Sequence, residues 1–186
     1  MKTVLKSILL VAAVLVAGFA AAAVGHPLEP TSLMALSALG TINIAAGEKL
    51  AVVGTIDPQT VANTELFTDV VDMQKHHQAL FVALLGNMAA ETIDFTLYYC
   101  DSNGSNAVEL KDCTQLAAHA SNNDNKQLVI SLRAEELLAA GKRYVKAGLV
   151  TGAGTGGPAA VLALGVDSRS QPASGDDLSS VVEIQI

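Results

Sequence analysis

The sequence predicts an all-β protein: an antiparallel, jelly-roll-like β-sandwich with one short helix. Apolar residues make up 51% of the 186 residues, but aromatic residues only 4%, and tryptophan is absent. The core must therefore consist mainly of light aliphatic side chains, which suit packed strands. Short runs of alternating polarity recur along the chain and are separated by turn residues. Long helical segments do not intervene between these runs, so a parallel α/β sheet is not expected.

The first 33 residues are predicted to form a hydrophobic leader helix and a linker. Lys2 and Lys6 precede an apolar run over residues 8–19, and Ala23-Val24-Gly25 has the small-x-small pattern of a cleavage site. This is the layout of a secretory signal peptide. Left uncut, the same run is long enough for a membrane helix. A cleaved signal, a membrane tether and an over-long gene start all fit this segment, and the sequence leaves the three open.

The β-sandwich domain is predicted over residues 34–186. Met34 opens a segment typical of the start of a folded domain, and a linker with two prolines precedes it at residues 26–30. Short apolar runs bounded by glycine, Asp57-Pro58 or Gly86-Asn87 predict the first strands. These strands cover residues 41–45, 50–53, 65–71 and 77–85.

The clearest strand is Ile93 to Cys100, where polar and apolar residues alternate strictly. We expect Asp94 and Thr96 to face outward, while the core side chains are Ile93, Phe95, Leu97 and Tyr99. Asn103-Gly104 lies in the polar segment that follows and favours a hairpin turn. The return strand is predicted over residues 107–116.

The two cysteines, Cys100 and Cys113, flank this hairpin. Counting outward from the turn places Cys100 opposite residue 107 or 108 and Cys113 opposite a residue near Asp94. This register keeps the two sulfur atoms apart. A disulfide is the lesser alternative and requires an exported chain.

The second half of the domain continues the same pattern. Leu128, Ile130 and Leu132 line one face of a strand. Residues 133–141 contain good helix formers and end at Gly141, which predicts a connecting helix of about two turns. Strands follow over residues 143–150 and 159–166, a polar surface segment over 168–177, and an edge strand or arm over 181–186.

Charge and motifs argue against several functions. The formal net charge is −7, and Lys142-Arg143 with nearby Lys146 is the main basic cluster of the domain, so nucleic-acid binding is not expected. Gly152, Gly154 and Gly157 fit a dinucleotide fingerprint, but an apolar, strand-like run follows instead of a helix, which favours a hairpin loop.

Metal binding and catalysis are not expected either. His76 and His77 are adjacent, so a strand would point them to opposite faces, which is typical of surface histidines rather than of a metal site. The sequence has no G-x-S-x-G motif, and no carboxylate pair lies in an apolar context. We therefore predict no enzyme activity, no metal and no cofactor.

From about residue 70 onward, the chain resembles small virion-associated proteins of tailed bacteriophages. The resemblance depends on several stretches in order, which are Val71-Asp72-Met73, Ile93-Asp94-Phe95, Asn123-Asp124-Asn125-Lys126-Gln127, Leu132-Arg133-Ala134-Glu135-Glu136-Leu137, Gly141-Lys142-Arg143-Tyr144-Val145, Pro172-Ala173-Ser174 and Asp177-Leu178. Such proteins are similar to β-sandwich decoration, or cement, subunits. Their chains begin near the position of Met34, so the hydrophobic leader departs from their pattern.

The resemblance implies a structural protein of the virion without cofactor. Its expected partner is the major capsid protein or another virion protein, it is expected to form a homo-oligomer, and it would meet a membrane only if the leader is uncut. The alternative is an exported bacterial β-sandwich that acts as a binding or adhesion module in the periplasm or outside the cell. Contacts with neighbours are predicted in the end segments and the glycine-rich loop, at Leu36, Leu39, Thr151, Gly154, Val181, Ile184 and Ile186.

Overall fold

The computed structural model describes residues 45–88, 92–116, 124–152, 156–170 and 172–184. The predicted leader and linker, the domain start at Met34 and residues 41–44 of the strand predicted over 41–45 lie outside these ranges. The chain from Ala45 onward forms one compact unit.

In its described ranges this unit has nine antiparallel strands and three short helices. The strands are β1 (Leu50–Val61), β2 (Leu66–Phe67), β3 (Val71–Asp72), β4 (His76–Leu85), β5 (Ile93–Cys100), β6 (Val108–Leu116), β7 (Gln127–Arg133), β8 (Tyr144–Thr151) and β9 (Gly157–Ser168). Helix α1 covers Ala46–Lys49, and two 3₁₀ helices cover Ala134–Ala140 and Ala173–Asp176.

The strands form two sheets with the order of a jelly roll. The first sheet has the order β1-β9-β4-β7, and the second has β2-β8-β5-β6, with β3 also paired to β8. If β2 and β3 are counted as one interrupted strand, successive strands change sheet at every step except from β5 to β6, as in a jelly roll of two Greek keys. The predicted all-β, jelly-roll-like sandwich is therefore confirmed.

The core lies between the sheets and is aliphatic, as the composition predicted. The largest fully buried side chains include Phe81 and Phe95, surrounded by leucine, isoleucine, valine and two methionines. Ile93, Phe95 and Leu97 face this core at 1% exposure or less, and Tyr99 packs against it. The predicted face of β5 is confirmed, together with both ends of the strand.

Thr96 points outward from the core, as predicted, but it is only 8% exposed. Thr96 lies on the outer face of the second sheet opposite Gly148, and Phe67 of β2 pairs with the same glycine. The large side chains of Phe67 and Tyr98 therefore stand beside Thr96 and cover it.

The strand predicted over residues 50–53 was expected to end at Gly54, but β1 is twelve residues long and reaches Val61. Register shifts at residues 52–54 and 56–59 absorb the irregularities of this strand. Because β1 lies at the edge of the first sheet, Pro58 removes no hydrogen bond that the ladder needs. Glycine and proline therefore bend this strand without ending it.

The C-terminal segment blocks the outer edge of β1. The backbone N–H of Val52 donates to the Asp177 carboxylate at 2.6 Å, and the N–H of Leu178 donates to the Val52 carbonyl at 2.8 Å. Farther along, the N–H of Thr55 donates to the Asp69 carboxylate at 3.1 Å. Asp177, the last residue of the predicted surface segment, and Leu178 thus satisfy part of an exposed edge strand, which is a common defence against strand addition. Residues 181–184 form no strand.

The predicted hairpin register is confirmed in its essentials. Cys113 pairs with Phe95, one residue from its predicted partner, and Val108 pairs with Tyr99. Cys100 is buried and Cys113 half-buried, and both are free thiols. Burial raises the pKa of both thiols, so neither is activated as a nucleophile.

Candidate functional site

A cleft of about 450 Å³ opens between the first 3₁₀ helix and the turn that joins β3 to β4. Met73 and Leu137 line it and are 2% and 1% exposed, so they form an apolar floor. Leu138 also lines the cleft but is 77% exposed. A leucine with this exposure, next to an apolar floor, can bind an apolar group of another molecule.

Leu138 lies on the first 3₁₀ helix, and contacts at both ends of this helix fix its position. The Glu136 carboxylate accepts the backbone N–H of Arg133 at 2.9 Å and lies 2.6 Å from the Lys111 ammonium of β6. The hydrogen bond from Lys111 holds the pKa of Glu136 below its usual range. Gly141 ends the helix in the left-handed conformation, with φ of 62°, as its predicted role as a C-cap requires.

Three cations line the cleft, Lys142, Arg143 and Arg169, with one carboxylate, Glu135. Arg143 already donates two hydrogen bonds to Asp72, and these hold the pKa of Asp72 low. Lys142 lies 3.2 Å from Asp101. The Arg169 guanidinium makes no hydrogen bond or ion pair with any residue in the described ranges. Arg169 is therefore the cation of the cleft that remains open to an external carboxylate.

His76 is buried behind this region, although it was predicted to lie at the surface. It is 1% exposed, and its ring lies against Gly165, where an added Cβ would come within 2.7 Å of three ring atoms. Its Nδ1 has no hydrogen-bond partner among the described residues. His77, the next residue, is exposed and lines the cleft. That the two histidines do not share a metal site stays a prediction.

We expect stability to fall between pH 7 and pH 5 because of His76. Burial lowers its pKa below the ordinary 6.5; Lys75 adds to this, and Asp176 and Asp72 oppose it. The unfolded chain therefore binds more protons in this window, and the free energy of unfolding decreases as the pH falls below about 6.5. Urea denaturation at pH 7.5, 6.5 and 5.5 measures the loss.

His76→Phe is expected to abolish most of this dependence, because it keeps a ring against Gly165 without a titrating nitrogen. The matched change at exposed His77, His77→Phe, should preserve it. The pKa values of Asp72 and Asp176 are lowered from the ordinary 3.8. Protonation of these carboxylates therefore affects stability only at a pH below the range that is measured. Equal pH dependence in the wild type and in His76→Phe would contradict the assignment.

The outer face of the second sheet carries a polar and aromatic cluster. The Tyr98 hydroxyl donates a hydrogen bond to Glu65 at 2.8 Å. The pKa of Tyr98 is raised to about 12, mainly by desolvation and secondly by this hydrogen bond. The Phe67 ring meets the Tyr98 ring edge-on, with centroids 5.9 Å apart. The Lys146 ammonium lies 3.8 Å from the Phe67 centroid. The groups of this cluster satisfy one another, so it offers less to a ligand than the cleft does.

Three of the predicted interface residues, Thr151, Val181 and Ile184, lie within the described ranges. Leu36, Leu39, Gly154 and Ile186 lie outside the described residues. Thr151 is 2% exposed, and its hydroxyl donates to the Val61 carbonyl at 3.0 Å, so its side chain stabilises the interior instead of a contact. Val181 is half-buried, and Ile184 is 41% exposed. Both lie on the C-terminal segment, and neither lines the cleft.

Within the described ranges, no group of three or more histidine, cysteine or acidic side chains is placed to hold a metal ion. The same part of the chain has no helix of the length and apolarity needed to span a membrane.

No family model matches the sequence, and no curated protein does. Among solved structures, the SPBc2 prophage-derived protein YomS is similar at 15% identity and a TM-score of 0.39, over 63% of this chain and 92% of that one. The structure of the infectious bursal disease virus Gx strain is similar at 9% identity and a TM-score of 0.36, over 67% of this chain and 33% of that one. The xylan-binding module CBM15 is similar at 9% identity and a TM-score of 0.30, over 69% of this chain and 96% of that one. Such scores say nothing about what this chain binds.

Proposed function

We propose that this protein is a non-enzymatic structural subunit of a tailed-bacteriophage virion, and that it binds the assembled capsid as decoration proteins do. Its partner is then the major capsid protein or another virion protein. The observation that carries the proposal is the cleft, which combines an apolar floor, an exposed leucine and a free guanidinium. Jelly rolls include viral capsid and lectin domains, so the fold is compatible with this role but does not decide it.

The chemistry of the cleft suits a protein segment with an apolar side chain beside a carboxylate. A partner that covers Leu138 stabilises the complex by about 25 cal/mol for each Å² of apolar surface that is buried. Arg169 provides a charge-assisted hydrogen bond to the carboxylate. One such contact is weak, but a shell repeats the same site many times, and each particle can hold many copies. A rigid, acidic sandwich also stays clear of packaged nucleic acid.

We expect Leu138→Glu to weaken binding to purified capsids at least 10-fold without unfolding the protein. The substitution places a charge where an apolar group should dock, beside Glu135, and it removes no buried contact because Leu138 is 77% exposed. Cosedimentation with capsids that lack this chain measures the binding. The control is Val108→Glu, the same change at a 49% exposed position that does not line the cleft.

Equal binding by Leu138→Glu and wild type would remove the cleft from the proposal. The role itself is tested by comparing particles with and without the chain for resistance to heat and to low salt. Particles that contain the chain should be more resistant. Absence from particles with recovery from the host periplasm would overturn the proposal in favour of an exported binding or adhesion module. A few copies at one vertex or in the tail would keep a virion role and reject decoration.

A further inference from the structure

The outer face of the first sheet is apolar, although an exposed sheet face in a soluble protein is normally polar. Its side chains alternate with the buried residues of β4 and β9. Leu80 pairs with Leu164, and Val82 with Leu162, so large aliphatic groups stand side by side across the two central strands. Leu84 and Val129 extend the patch and are 48% and 54% exposed. We call these six residues the outer apolar face.

The outer apolar face carries no charge. In β7, the residues that pair with Leu80, Val82 and Leu84 are Ser131, Val129 and Gln127. In β1, Thr55 pairs with Leu162 and Val52 with Leu164. Charged residues border it: Arg133 pairs with Gln78 at one end, and the carboxylates of Asp69 and Asp177 accept hydrogen bonds from the backbone of β1 along one edge. Because the chain has a net charge of −7, an uncharged face is where two copies can meet without opposing like charges.

The dimensions also suit a second sheet. Four strands at a spacing of about 4.8 Å and about seven residues at 3.3 Å each give a face of roughly 20 Å by 23 Å. The projected area is therefore on the order of 460 Å² per partner, the size of a small and weak interface. Two such faces pack at about 10 Å with their strands inclined by about 30°. Strand addition at the β1 edge is blocked by Asp177 and Asp69, so the β1 edge does not provide the contact between copies.

We propose that two copies of this chain pair through the outer apolar face, sheet against sheet, about a two-fold axis. Such an interface is isologous: each copy presents the same residues to the other. The pairing buries Leu84 and Val129, which a monomer leaves open. It uses neither the cleft nor Leu138, so it goes beyond the capsid-binding role and holds or fails independently of that role.

The test is the mass of the full chain in solution, by light scattering after size exclusion and by sedimentation from 1 to 50 µM. Wild type should have twice the mass that mass spectrometry gives for one chain. Val129→Glu and Leu84→Glu should each raise the dissociation constant at least 10-fold, because each places an acidic group within the contact. Both positions are open enough for the fold to survive, which the circular dichroism spectrum checks.

Leu138→Glu is the matched control, since it adds the same charge on another surface and should stay dimeric while losing capsid binding. A wild-type monomer at 50 µM would overturn the proposal, and so would folded Val129→Glu and Leu84→Glu variants that remain dimeric. A monomer that binds phosphatidylcholine vesicles, and loses that binding in both variants, would assign the face to lipid and overturn the dimer.

Discussion

Phe95→Ala is expected to lower the free energy of unfolding by about 3–5 kcal/mol, the usual cost of removing a buried phenylalanine. Phe95 has no exposed surface. It lies in the centre of β5, with Cys113 on one side and Leu149 on the other. Its loss therefore leaves a cavity between the sheets that rigid aliphatic neighbours cannot fill. Urea denaturation at pH 7.5 measures the change.

The neighbouring Asp94→Ala is the control for this prediction. Asp94 is half-buried on the opposite face of the same strand, and its carboxylate has a contact of its own. Its removal should cost about 1 kcal/mol or less, the scale of one hydrogen bond near the surface. Equal losses from the two substitutions would mean that the assignment of the two faces of β5 is wrong.

Gly165→Ala is expected to cost about 1–3 kcal/mol, as overpacking does in a close-packed interior. A Cβ at this position would lie 2.6–2.7 Å from three atoms of the His76 ring, so the ring or the backbone of β9 must move. The cost should fall by at least about 1 kcal/mol when His76→Ala is already present, because the obstacle has been removed. Denaturation of the four proteins in this double-mutant cycle measures the coupling.

Gly175→Ala serves as the control for that cycle. No heavy atom lies within 4 Å of a Cβ built at Gly175, so the same substitution should change stability by no more than about 0.5 kcal/mol. Strictly additive costs for Gly165→Ala and His76→Ala would show that the histidine ring does not fill the space that the glycine leaves.

The sequence predicted the parts of the fold that depend on local pattern. Strict alternation and the Asn-Gly turn located β5 to the residue, and Gly141 located the end of the first 3₁₀ helix. The length of β1 escaped prediction because Gly54 and Pro58 normally end a strand, and only the strand's place at a sheet edge makes them harmless. Likewise, Thr96 looks like a solvent-facing residue until Phe67, distant in the sequence, is placed beside it.

The cleft could not be predicted for a related reason. Met73, Leu137 and Arg169 come from three segments that only the jelly-roll topology brings together. The local signal was the Lys142-Arg143 pair, the main basic cluster of the domain, but sequence could not reveal that both cations are already paired. The buried position of His76 was hidden as well, because the space for its ring is provided by a glycine almost ninety residues later.

The closure of the β1 edge has a consequence for synthesis on the ribosome. Val52 leaves the ribosome 125 residues before Asp177, its hydrogen-bond partner. At about 5–20 residues per second, this interval is on the order of 6–25 s. Throughout it, β1 lacks the partner that blocks its edge. Chains that terminate early never gain that partner, so incomplete products expose a strand to neighbouring nascent chains, whereas finished ones do not.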